Sequence, residues 1–432
     1  MQKFYPDQIL KRLANLQFAI GLLLTIGVVV AIGTVIEQDQ SLSFYQQNYP
    51  ETNPILGFVS WKFLLFFQLD EVYTSFWFIL LLFLFSFSLL SCTLTVQLPV
   101  LRRLRRWKFY TNLKKISGIK SNLSKNTSNN FIYQLHKSEY TIFRQGKKNY
   151  AYNGLVGRFG PIVVHASIIL LLIGSTLGAF GGYVVQQIVP RGEIFHLQNV
   201  IKLANLSTVP QNISCRINDF WITYTEDFKT NQFYSDLSLI DNFGNELKRK
   251  TVFVNEPLIY KGITLYQTDW DIVGLKFKQN NTRVTQIPLK KVAKSGQKFW
   301  LGSISVNSKN SRPQIFSILI NDLIGKIFIY NAQGTLVKEC SLGQVISLTE
   351  NDNFVFSEFL TATGLQIKAD PGIQTVYFSF FLLMVSTYVS FISYSQIWGV
   401  EFQTTFAASG MSNRAVLFFQ TEFRKLVNKA VL

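Results

Sequence analysis

Histidine changes charge near neutral pH, and its neutral ring also ligates metals. This chain has three: His136, His165 and His196. His165 stands apart, because it falls in GRFGPIVVHASIILLLIGSTLGAFGGY (Gly157–Tyr183), which carries no charge after Arg158. The other two lie in polar stretches. An ionisable group at membrane depth is costly and rare, so it marks a functional site by default. Three chemistries are open to it. It can be a neutral imidazole bonded to a Ser, Tyr or carbonyl of an adjacent helix, a proton relay, or a ligand to a metal or haem iron. A relay recruits other intramembrane acids or bases, and no apolar span of this chain offers one. A haem ligand needs one His per subunit, the second axial ligand coming from a partner. Residue content tilts the choice toward a ligand.

Other catalytic patterns are missing. Cys92, Cys215 and Cys340 form no C-x-x-C pair, so thiol–disulfide exchange of the thioredoxin kind is unsupported. Cys92 reads as a small buried hydrophobe; Cys215 and Cys340 share one domain, where a disulfide is open to them. Without C-x-x-C-H the chain carries no covalent c-type haem of its own. No P-loop, G-x-G-x-x-G after a strand, H-E-x-x-H or G-x-S-x-G occurs. A self-contained soluble active site is not expected.

The elements that must position His165 are membrane helices. With 48% hydrophobic and 16% charged residues, 39 Phe and 18 Tyr, the 432-residue chain is too apolar for an ordinary soluble enzyme. Four uncharged runs reach the roughly 20 residues needed to cross a hydrocarbon core: 16–36, 76–96, 161–180 and 376–398. The first exceeds the length of a signal-peptide core and lacks a clean cleavage site, so it is expected to be retained. No organelle transit peptide is evident, which suggests synthesis in the compartment of insertion. The loop 97–160 holds fourteen Lys and Arg against Glu139 alone, while loop 37–75 holds Lys62 against five acids. Basic short loops stay on the synthesis side. Residues 1–15, with Lys3, Lys11 and Arg12, loop 97–160 and the tail 399–432 therefore share that side, and 37–75 and 181–375 face the opposite one. The run LRRLRRWKFY (Leu101–Tyr110) reads as a topology and headgroup determinant, with no nucleic acid implied. SNLSKNTSNN (Ser121–Asn130) reads as a flexible connector.

If the third helix starts near Pro161, His165 lies about one turn, roughly 6 Å, from the basic face. Gly174 falls opposite it on the helix, with Ser167 and Gly178 close to that line. Gly174 and Gly178 form a G-x-x-x-G seam for a neighbouring helix. Segment 181–375 reads as a folded antiparallel β-rich domain, sandwich-like, with runs such as ISCRINDFWITYT and KIFIYN parted by turns at Asp241–Asn245 and Asn331–Gly334. Asp370–Pro371–Gly372 is a turn leading back to the fourth span. Asp269, Trp270 and Asp271 sit at an expected strand end, with a structural role or a partner contact open. His196 follows the third span, as a solvated surface residue or a minor haem-handling one.

Five segments taken together resemble the ResB (CcsB-type) family of System II cytochrome c biogenesis membrane proteins, in its chloroplast and cyanobacterial form. They are GTVIEQDQSLSFYQQNYP (Gly33–Pro50), GLVGRFGPIVVHAS (Gly154–Ser167), VNEPLIYKGITLYQTDWDIVGLKFKQN (Val254–Asn280), ADPGIQTVYFSF (Ala369–Phe380) and SNRAVLFFQTEF (Ser412–Phe423). The resemblance implies a polytopic α-helical membrane protein with four transmembrane helices, three before and one after a large lumenal β-rich domain. It implies work with a CcsA-type partner: moving haem to the lumenal side and supporting its attachment to C-x-x-C-H sites of apocytochromes c such as cytochrome f. Haem b would be transient and shared between the two proteins. His165 falls where the family places its intramembrane histidine. The chain is then a non-catalytic or scaffold subunit of a haem lyase complex, in a chloroplast thylakoid membrane or, next, a cyanobacterial one, with both termini stromal. A polytopic transporter or a haem-independent assembly scaffold is the competing class.

Overall fold

The computed structural model describes residues 6–431 except 105–106, 112, 114–117, 228, 281–282, 295–296, 307–313 and 350–351. Lys3, Arg105 and Arg106 of the basic segments thus lie outside the described residues. The chain divides into two compact units, Met1–Ala179 with Gly372–Leu432, and Phe180–Pro371.

The first unit holds four helices long and apolar enough to cross a membrane, Leu16–Val35, Phe76–Arg102, Gly160–Gly181 and Ile373–Ser390. Each is a continuous run of Leu, Ile, Val, Phe and Ala; a lone carboxylate or ammonium at mid-depth would cost several kcal/mol. Asn15 starts the first helix, its side chain accepting from the Gln17 N–H, which satisfies one of the donors a helix start leaves open. The second runs beyond the expected end at residue 96. Apolar count stops there, but nothing in Gln97–Arg102 breaks a helix, and Pro99 is tolerated because a π turn precedes it.

Two expectations are corrected here. The fourth helix ends at Ser390, eight residues before the expected 398. Ser395–Glu401 instead forms a strand between Lys148–Asn153 and Thr405–Ser412, and Trp398 donates its indole N–H to the Lys108 carbonyl at 3.0 Å. The apolar residues there serve a sheet core, which hydropathy alone reads as a membrane span. Ser121–Asn130 is no connector either. Ile119–Ser124 is an edge strand on Thr405–Ser412, and Ser128–Lys137 is a helix. Lys120, Asn122, Ser124, Lys125, Asn126 and Asn129 are exposed, while Leu123, Ser128, Phe131 and Leu135 are buried.

The resulting antiparallel five-stranded sheet runs in the order Ile119–Ser124, Thr405–Ser412, Ser395–Glu401, Lys148–Asn153, Thr141–Gln145. Phe131 and Leu135 pack with Phe419, Phe423 and Leu426 of the final helix, Val416–Val431, against Phe406 and Ile397 of the sheet. A separate cluster gathers Tyr150, Trp398 and Val400 with Phe109 and Tyr110 of the basic segment. The basic loop and the tail are therefore two halves of one small α/β fold.

The second unit is antiparallel β throughout its described pairings. Two strands dominate it, Ile263–Gln279 and Asp352–Ala369, paired along nearly their full length. Three register shifts, including one between Gln267 and Asp269, bend this pair, as bulges do. One core collects Leu265, Leu365, Ile367, Val185, Ile217 and Leu237. The other collects Phe277, Phe356, Trp300, Ile304, Ile318 and Ile327. A single sandwich is thus replaced by two cores strung on a shared strand pair. Cys215 lies in the first and Cys340 in the second, and both thiols are free.

Candidate functional site

His165 lies in the second turn of the third helix and points at the second helix. Its Nδ1 is 3.0 Å from Thr93 Oγ1. The Thr93 hydroxyl also lies 2.9 Å from the Leu89 carbonyl, to which it donates. A hydroxyl has one proton. With that proton given to Leu89, Thr93 accepts at His165, so the ring proton sits on Nδ1 and the lone pair on Nε2. Metal-binding histidines are oriented in this way, by donating the other ring N–H.

A second side chain reaches the same ring. The Gln97 amide nitrogen is 3.3 Å from Nε2 and 3.4 Å from Nδ1. Since Nδ1 is committed to Thr93, the amide donates to Nε2. The Gln97 Oε1 is buried and has no hydrogen-bond partner among the described residues, a state that costs about 1–3 kcal/mol. Thr93–Gln97 is a π turn closed by Leu98 N–H to the Thr93 carbonyl, and π turns within helices recur at functional sites.

The face that carries His165 continues into an apolar groove of about 400 Å³ between the second and third helices, lined among others by Phe83, Phe87, Leu90, Ile169, Leu172 and Thr176. Residues 169, 172 and 176 fall within about 40° of His165 at helical spacing. The groove begins at Leu90 and Ile169, one helical turn from Thr93 and His165. Among the described residues no group of three His, Cys, Asp or Glu could hold a metal ion, so iron bound at His165 would take one ligand from this face and find others elsewhere.

Away from that face the third helix meets the fourth. A Cβ on Gly174 would stand 3.0 Å from Val376 Cγ2 and 3.1 Å from Thr375 Cβ. A Cβ on Gly372 would fall 1.9 Å from the Gly174 carbonyl oxygen and 2.7 Å from the Gly178 nitrogen. A Cβ on Gly160 would fall 2.5 Å from Ser390 Cα. Absent side chains let these helices touch backbone to backbone, which fixes the rotation of the third helix and aims His165.

The remaining candidates belong to the second unit. His196 is exposed on the short strand Ile194–His196, its Nδ1 3.0 Å from Ser214 Oγ across the strand pair. Asp269, Trp270 and Asp271 lie inside the long strand Ile263–Gln279, where a strand end had been expected. TDWD interrupts the alternation because the chain bulges there while pairing continues. Asp271 accepts the buried Trp300 indole N–H at 2.5 Å, and Trp270 lies 5.0 Å from the Trp300 ring. Asp269 faces Lys298 at 3.2 Å and Lys291 at 3.8 Å. Burial pushes the Asp269 carboxyl up, but the Trp270 backbone N–H and the two lysines outweigh it and hold it below the usual range. Each member of the triplet is engaged by its own domain.

Sequence reasoning did not find Thr93 or Gln97. The available clue was TLTVQ (Thr93–Gln97), a polar i, i+4 pair at the basic end of an apolar helix.

Four long apolar helices, a basic α/β fold and a large antiparallel β unit define a polytopic membrane protein with an appended β-rich domain. Residues 16–320 match the ResB-like family model, and the chain belongs to that family. It is 55% identical over 429 residues to the cytochrome c biogenesis protein Ccs1 of Emiliania huxleyi, covering 99% of this chain and 97% of that one. It is 45% identical to Ccs1 of Porphyra purpurea over 98% of this chain and 96% of that one. For Ccs1 of Phaeodactylum tricornutum the identity is 43%, over 98% and 99%.

Proposed function

We propose that this chain serves cytochrome c biogenesis by receiving haem at His165. With a CcsA-type membrane partner it carries haem from the stromal to the lumenal side of a thylakoid membrane and supports its attachment to C-x-x-C-H sites of apocytochromes c such as cytochrome f. Both termini and the α/β fold are stromal; the β-rich unit is lumenal and acts as a scaffold. The observation that carries this reading is the state of the imidazole: Nδ1–H is held by Thr93, which leaves the lone pair on Nε2, and an apolar groove begins one helical turn away at Leu90 and Ile169. Neutral Nε2 is the form that binds iron. A porphyrin has the flat apolar faces such a groove favours. His196, exposed in the β-rich unit, has at most a secondary contact with the passing haem.

The test is an absorption spectrum of the complex purified with its partner. A haem signal is expected, reduced in His165→Ala and returned by added imidazole, with protein abundance unchanged. Colourless wild-type complex, or a His165→Ala complex with the full haem signal, refutes the reading. A haem-independent scaffold is the second reading, favoured by the hydrogen bond that His165 donates to Thr93, which also suits a purely structural histidine. It predicts a complex without haem whose assembly activity survives His165→Ala.

A further inference from the structure

We infer that the π turn Thr93–Gln97 is a positioning and capping device for the haem-receiving nitrogen: Thr93 fixes the His165 tautomer, and Gln97 covers Nε2 until iron displaces it. The inference rests on the haem reading above and adds two residues to it.

The two side chains do different work. Thr93 bridges Leu89 O and His165 Nδ1 at 2.9 Å and 3.0 Å, which ties ring orientation to the backbone of the second helix. Deleting the hydroxyl frees the ring to turn or to move its proton to Nε2, and either change takes the lone pair from the position that Thr93 sets. Gln97 is the opposite case. Its N–H at 3.3 Å occupies the electron pair that iron needs, while its Oε1 is buried without a partner among the described residues. A cap held by one long hydrogen bond, with its other end unsatisfied, is cheap to move. Coordination then exchanges one donor for another at Nε2: the lone pair passes from the amide N–H to iron, Nδ1–H stays in place, and no proton is gained or lost. A neutral cap also blocks Nε2 against protonation and stray divalent metals between cargoes.

The experiment measures haem affinity and uptake rate of the purified complex with its partner, in wild type, Thr93→Val, Thr93→Ser, Gln97→Leu and His165→Ala. Loss of an outer partner to a ligating histidine costs about 10–100-fold in affinity, and that is expected of Thr93→Val, with Thr93→Ser near wild type. The haem reduction potential of the complex should rise in Thr93→Val, since the hydrogen bond at Nδ1 makes the imidazole a stronger donor that favours ferric iron; a packing role would leave it in place. Removing the cap should raise uptake or affinity roughly 2–10-fold in Gln97→Leu, the worth of one net hydrogen bond. Wild-type affinity and an unmoved potential in Thr93→Val overturn the positioning role, and equal or weaker uptake in Gln97→Leu overturns the cap. If His165→Ala loses haem while these variants behave as wild type, the device falls and the haem reading stands. If His165→Ala retains haem, the haem reading falls first.

Discussion

Substituting Gly372 by alanine tests whether the contact between the third and fourth helices is as close as its geometry requires. Gly372 has φ −85° and ψ −17°, which any residue adopts, so backbone freedom is not the reason for glycine there. The obstacle is space. The new methyl would stand 1.9 Å from the Gly174 carbonyl oxygen, against an ordinary contact of 3.4 Å or more. The helices must therefore part by about 1.5 Å, and a gap of 0.5–1 Å already forfeits a quarter to a half of a dispersion contact. Overpacking of this kind costs about 1–3 kcal/mol, against a gain of about 0.4–1 kcal/mol from a stiffer unfolded chain. A net loss equivalent to roughly 2–10 °C in unfolding midpoint follows for a unit of this size. Gly27→Ala is the control: a Cβ there meets nothing within 4 Å, and alanine favours helix by about 1 kcal/mol. The assay is thermal unfolding of the detergent-purified chain. A Gly372→Ala midpoint equal to or above that of Gly27→Ala would refute the close seam.

Three further outcomes can be checked. In the final helix, burial pushes the Glu422 carboxyl up more than the Tyr140 hydrogen bond lowers it. The folded chain then holds that proton more tightly than the unfolded one, and stability falls as pH rises from the ordinary glutamate range through the raised value. Glu422→Gln should accordingly melt higher than wild type at pH 7, the difference vanishing near pH 4. Asp271→Ala leaves the Trp300 N–H without its acceptor and should destabilise the β-rich unit by about 1–3 kcal/mol in a tryptophan-fluorescence denaturation, with Asp271→Asn close to wild type. Unchanged stability with impaired cytochrome assembly would turn Asp271 into a partner contact. Asp236 is held below the usual carboxylate range by its hydrogen bond to Arg249, so its share of stability is present above about pH 4 and is lost as pH falls further. Hydrogen exchange of strand Thr230–Asp241 should accelerate there in wild type and less so in Asp236→Asn.

The long helices were legible because the need for an uncharged run is local and can be read residue by residue. The β character of the second unit was legible because alternation is local too. The five-stranded sheet was not. Its partners, Ile119–Ser124 and Thr405–Ser412, pair across the whole β-rich unit, and no window of sequence contains both. For the same reason Ser395–Glu401 looked like the end of a membrane span: Trp398 and Val400 are equally apolar in lipid or in a sheet core. TDWD looked like a strand end because a bulge breaks alternation without breaking pairing. His165 declared itself through the cost of placing an imidazole in hydrocarbon. Thr93 and Gln97 did not, since neutral polar residues near a helix end are cheap, and their convergence on one ring depends on a π turn.

The split sheet has a consequence for how the protein is made. Ile119–Ser124 leaves the ribosome early and has Thr405–Ser412 as its neighbour, about 280 residues later. At roughly 5–20 residues per second that edge waits on the order of 15–55 s, its backbone donors and acceptors open. Closure comes only after the fourth helix, Ile373–Ser390, which precedes Thr405–Ser412 in the chain, has been made. The small sheet therefore joins segments that are far apart in time as well as in sequence: its edge strand meets its partner only after the whole β-rich unit has been made.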